Sequence, residues 1–115
     1  MSNEAPGPAG LTPGLPVILL EGEVDLATAP AIQQEVDDLL VAGRSTIVVD
    51  LLGATFLDST ALGVLVGALE ECRATGGELH LIVTDPRILK VLQITGLDDT
   101  FPIHSTRPDS EVPPS

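Results

Sequence analysis

The sequence predicts an α/β domain: a mostly parallel central sheet of about four strands with helices packed on it. Three observations point there. Apolar runs of strand length alternate with amphipathic segments of about 10–15 residues, the pattern of βαβ units. The chain is 115 residues long, enough for one domain of ordinary size, since domains cluster at roughly 100–150 residues. Its hydrophobic content of 43% includes only 2% aromatics, Phe56 and Phe101, so the core must be built from Leu, Val, Ile and Ala.

The elements follow in order. Val17, Ile18, Leu19 and Leu20 form a first strand, with Gly22 marking its end. Thr28 as N-cap, Pro30 in the first turn and Ile32, Val36, Leu39 and Leu40 at helical spacing predict a helix that ends at Gly43. Thr46 to Leu51 is β-branched and continuously apolar up to Asp50, as a mid-sheet strand should be. After a short connection, Leu62, Leu65, Val66, Leu69 and Cys72 make a buried helical stripe closed by Gly76 and Gly77. Leu79, Leu81 and Val83 alternate with His80 and Ile82 in a third strand, and Asp85-Pro86 opens a helix through Ile88, Leu89 and Leu92 to Gly96. Phe101 to His104 supplies a last short strand. Residues 1–14 and 107–115 are crowded with residues that offer no face to bury, which predicts a disordered leader and tail around a folded domain over 15–106.

Charge and cysteine usage exclude several function classes. Seventeen acidic residues stand against five basic ones, for a net charge of −12. Phosphate backbones would repel that surface, so nucleic acid is not expected as a partner, whereas basic protein surfaces would be attracted. Cys72 is the single cysteine, so no internal disulfide forms and the cytoplasm is the expected compartment. The N-terminus lacks a signal-peptide pattern and no apolar run approaches the roughly 20 residues that span a bilayer, so no membrane role is expected. One Cys and two distant His make no zinc signature.

The informative stretch is Phe56-Leu57-Asp58-Ser59-Thr60-Ala61-Leu62-Gly63-Val64-Leu65, where polar residues mark the passage from a strand exit into a buried helix. A helix N-terminus presents unpaired N–H groups and a partial positive charge, so a phosphate on Ser59 would meet donors and a favourable dipole. Taken alone, Asp58 and Ser59 read as ordinary helix caps, each worth about 1 kcal/mol, far more often than as regulated residues. Gly63 and Gly67 lie one turn apart inside the helix, where close packing against the sheet or a partner is expected to offset their cost of about 1 kcal/mol each.

The run FLDSTALGVL, Gly22-Glu23-Val24-Asp25, IVVDL, Ile94-Thr95-Gly96-Leu97 and Phe101-Pro102-Ile103 together resemble the anti-sigma factor antagonists of the STAS domain family, over roughly Val17 to Thr106. The resemblance implies a single STAS-like domain and a partner-switching cycle. In it the unphosphorylated antagonist binds an anti-sigma factor that is also a serine kinase and so releases a sigma factor; phosphorylation by that kinase ends the binding, and a metal-dependent serine phosphatase resets it. By this match Ser59 is the phosphoacceptor, Thr60 the runner-up, and Asp25 and Asp58 the flanking acids, with Thr60, Ala61 and Gly63 completing the partner-binding stretch. No cofactor and no enzymatic activity are implied for the antagonist itself. The sequence departs from the family pattern at Ala61, where Gly is usual, and at both ends, where the usual first strand and last helix fall on the leader and the polar tail.

Rival readings fit less well. A hydrolase nucleophile at Ser59 would need Gly at the positions held by Leu57 and Ala61, and only His80 and His104 could serve as base. A receiver domain phosphorylated on Asp50 or Asp58 would need a late lysine on a loop, whereas Lys90 lies in a predicted helix. A STAS scaffold, or a regulatory subunit of a stress-signalling or transport complex, keeps the fold and changes its use.

Overall fold

The computed structural model describes residues 11–106. The predicted tail over 107–115 and the first ten residues of the predicted leader lie outside the described residues. Seven elements follow one another: β1 (Val17–Val24), α1 (Ala29–Val41), β2 (Ile47–Leu57), α2 (Ser59–Ala74), β3 (Leu79–Ile82), α3 (Pro86–Ile94) and β4 (Ile103–His104). The strands pair in the order β1-β2-β3-β4, every pair parallel. This is the predicted α/β architecture, with β2 inside the sheet as its apolar run requires. No helix among the described residues is long and apolar enough to cross a membrane.

The two faces of the sheet are finished differently. Ile47, Val49 and Leu51 of β2 and Leu79 and Leu81 of β3 join the main core, with Ile32 and Val36 of α1, Leu65, Ala68, Leu69 and Cys72 of α2, and Ile88 and Leu92 of α3. Val48 and Ile82 point the other way and are covered by Leu11, which is only 6% exposed. The leader predicted over 1–14 is therefore corrected at its last residues: an apolar sheet face needs cover, and Leu11 supplies it. The Arg44 guanidinium fixes the same stretch by donating to the Gly14 carbonyl at 3.0 Å.

Strand lengths also differ from the prediction. β1 does not stop at Gly22, which takes φ of 72° and stays in the strand. β2 does not stop at Leu51 but runs six residues further, to Leu57. Leu19 pairs with Asp50 and Glu21 with Gly53, then Gly22 with Ala54 and Glu23 with Phe56, so β2 carries an extra residue at each of two register shifts. Such bulges break the alternation that marks a strand in sequence while keeping Ala54 and Leu57 on the core side.

Close packing against the sheet does not require Gly63 or Gly67, since a Cβ at either would meet nothing within 4 Å; approach to a partner is the other reading of the pair. The close approach is at Gly77. A Cβ there would land on the backbone carbonyl of Ser45.

On the second face, His80 is 2% exposed, and its Nδ1 lies 2.9 Å from Nε2 of His104, joining β3 to β4. Its own Nε2 is buried without a partner. Burial holds both imidazoles below their ordinary value; Glu78 opposes this at His80, and His80 adds to it at His104. An unfolded chain takes up protons at these histidines near pH 6.5, the folded one only at lower pH, so stability is full above about pH 6.5 and falls as pH drops below it. The Asp85 carboxyl, held at about 2 by hydrogen bonds from Arg87, loses its contribution only at far lower pH. We expect the thermal midpoint to be level from pH 8 to 7 and to fall between pH 6.5 and 5. Replacing His80 and His104 together by Leu should flatten that slope; an unchanged slope would remove the pair as its cause.

Candidate functional site

Parallel pairing of Val24 with Leu57 brings the C-terminal ends of β1 and β2 side by side. The residues that follow them, Asp25 and Asp58, therefore start adjacent loops, at the sheet edge where parallel α/β folds place their sites. Among the described residues, each β-to-α passage is built around an aspartate that accepts from backbone N–H groups of the turn or helix ahead. Asp25 Oδ1 accepts from Ala27 and Thr28 at 3.1 and 3.3 Å. Asp58 Oδ1 accepts from Ala61 at 2.9 Å, and Asp85 Oδ1 accepts from Arg87 at 2.8 Å. Thr28 stands at the N-cap position of α1 but makes no side-chain cap; its hydroxyl donates to the Asp25 carbonyl instead, at 3.0 Å.

Asp58 does a second job. Its Oδ2 accepts from the Leu26 amide at 3.0 Å, tying the β1–α1 loop to the start of α2. Both carboxylate oxygens are thus held by backbone donors, so the negative charge is fixed in place. Of the two cap readings, the cap belongs to Asp58. Ser59 is the first residue of α2 and exposed, as is Thr60.

The structure brings Asp25, Asp58, Ser59 and Thr60 together at one edge, with Gly63 exposed one turn along α2. Ala61 is separated from them by burial: its methyl is fully covered in the core, so it offers no side chain to a partner. Its contribution is the amide that Asp58 caps. The helix donors that Asp58 leaves untaken at this end are the amides of Ser59 and Thr60. A group esterified to Ser59 would therefore meet those donors and the dipole on one side and a fixed carboxylate beside it.

Two exposed apolar side chains at this edge are not among the site residues that the sequence predicts. Leu26 is 69% exposed and Phe56 is 50% exposed. The signal for Leu26 is an apolar residue set between Asp25 and the helix start with no partner at strand or helix spacing. Phe56 carries no local signal, because its outward direction depends on the second bulge of β2.

The family model described as STAS domain matches residues 9–110. The anti-sigma-B factor antagonist of Listeria monocytogenes is 35% identical over 86 residues, which is 75% of each chain. A solved anti-sigma factor antagonist from Mycobacterium paratuberculosis superposes with a TM-score of 0.70 at 31% identity, covering 78% of this chain and 76% of that one. The Bacillus cell fate determinant SpoIIAA in its phosphorylated form superposes with a TM-score of 0.62 at 28% identity, covering 77% and 81%.

Proposed function

The chain belongs to the STAS domain family, and from that premise we propose that it is an anti-sigma factor antagonist switched by phosphorylation of Ser59. Unmodified, it binds an anti-sigma factor serine kinase in the cytoplasm, and a sigma factor is released. The kinase then phosphorylates Ser59 from ATP and the complex separates; a serine phosphatase restores the first state. The observation that carries this reading is the exposed Ser59 hydroxyl at the start of α2, next to a carboxylate that two backbone amides immobilise. A phosphoryl group there adds about −1.5 to −2 charge at the docking face. Thr60, exposed one residue further on, is the second candidate acceptor.

The test is to incubate the full chain with each of a panel of purified anti-sigma factor serine kinases and magnesium ATP, then to map the phosphate by mass spectrometry. One phosphate on Ser59, absent from Ser59→Ala, is the expected result. A kinase that binds the chain and phosphorylates it only elsewhere, or not at all, would overturn the switch.

A further inference from the structure

Six large apolar side chains are exposed among the described residues, and four of them belong to the β1–β2 pair and the loop that leaves it: Leu19 on β1, Leu52 and Phe56 on β2, and Leu26 in the loop after β1. β2 pairs with β3 only as far as Asp50, and beyond it pairs with β1 alone, as a two-stranded ribbon. One face of that ribbon buries Val24, Ala54 and Leu57 in the core. The other turns Glu21, Glu23 and Phe56 to water. Isolated exposed apolar residues are ordinary, but a group of them rimmed by polar residues marks an interaction surface.

The charges on this face are of one sign. Glu21 lies across Gly53, whose missing Cβ would come within 3.1 Å of the glutamate Cγ, and Glu23 sits opposite Phe56. The arginines of the described residues are engaged elsewhere: Arg44 with the Gly14 carbonyl, Arg73 with Glu78 and Arg87 with Asp85. The surface thus calls for a partner that offers apolar pockets edged by Lys and Arg.

We infer that the outer face of the β1–β2 ribbon, from Leu19 and Leu52 through Phe56 to Leu26, is where the anti-sigma factor kinase docks. Phe56 and Leu26 are the anchors, and Glu21 and Glu23 face basic residues of the kinase. The inference rests on the antagonist reading and is continuous with it, since Leu26 is hydrogen-bonded to Asp58 and Phe56 precedes that residue by two. Phosphorylation then acts at the rim of a surface whose affinity comes mainly from its apolar centre.

The test measures affinity for the purified kinase that phosphorylates Ser59, with the full chain and single variants whose thermal midpoints match it. Phe56→Ser and Leu26→Ser should each weaken binding by about tenfold or more. Val41→Ser, at an 89% exposed position at the end of α1, should leave it unchanged. Replacing Glu21 and Glu23 by Gln should weaken binding at low salt and reduce its salt dependence. If Phe56→Ser and Leu26→Ser bind like the unmodified chain while Ser59→Asp does not, the docking face is wrong and the switch stands. If the two serine variants fail while Ser59→Asp binds normally, the face stands and the switch is wrong.

Discussion

Ser59→Asp should bind the anti-sigma factor kinase about a hundredfold more weakly than the unmodified chain, and Ser59→Ala should bind as well as it does. The contrast follows from what the Ser59 side chain does in the fold. It is exposed, and the cap of α2 is made by Asp58, so removing the hydroxyl costs the structure little. A carboxylate at the same place joins Asp58, which cannot swing away because the Leu26 and Ala61 amides hold both its oxygens. Two negative groups then face the nucleotide phosphates that a serine kinase must hold within reach of the Ser59 hydroxyl, a like-charge contact separate from the basic residues that face Glu21 and Glu23. Like charges juxtaposed across an interface cost several kcal/mol, and about 3 kcal/mol corresponds to roughly a hundredfold in affinity. The helix dipole favours the new charge in the free protein, so Ser59→Asp should keep its thermal midpoint while losing its partner. Titration calorimetry at low and high salt checks both parts. The loss should shrink as salt rises, because the groups are exposed and screened. Equal affinity of the two variants would mean that charge at Ser59 does not operate the switch.

The parts of this site that were legible in the sequence are those whose causes are local. The start of α2 could be placed because Asp58 ends a strand and Leu62, Leu65 and Leu69 set a helical period immediately after it. The resemblance to STAS antagonists gathered Asp25, Asp58 and Ser59 into one site. Adjacency of Asp25 and Asp58 in space comes from the pairing of Val24 with Leu57, a contact between residues 33 apart in sequence that no local pattern prints. Residues 52–57 looked like a connection because two bulges scramble their alternation. Leu11 looked like leader because one leucine among Pro and Gly gives no period. The internal packing demand is illegible for a related reason: it falls on Gly77, which reads as an ordinary helix stop, and not on Gly63 or Gly67 inside the helix.

Gly77→Ala should therefore be among the most damaging single-methyl changes in the chain, lowering stability by about 3 kcal/mol or more and the thermal midpoint by on the order of 15 °C. The added carbon would coincide with the carbonyl group of Ser45, and the Ser45 Cβ stands 2.9 Å away. Backbone must move to make room, and both backbones are pinned. The Gly77 amide donates to the Cys72 carbonyl at 2.8 Å, closing α2, and the Ile47 amide donates to the Glu78 carbonyl at 2.9 Å, starting the β2–β3 pairing. Trimming Ser45 to Gly should not restore the loss, because the obstacle is its main chain. Gly67→Ala supplies the opposite sign from within α2: its new methyl meets nothing within 4 Å, so only the helix preference acts, and stability should rise by about 0.5–1 kcal/mol. Thermal melts of the three variants decide the matter. A Gly77→Ala protein that melts with the unmodified chain, or one rescued by Ser45→Gly, would show that the approach of the α2–β3 turn to Ser45 is not what fixes this end of the sheet.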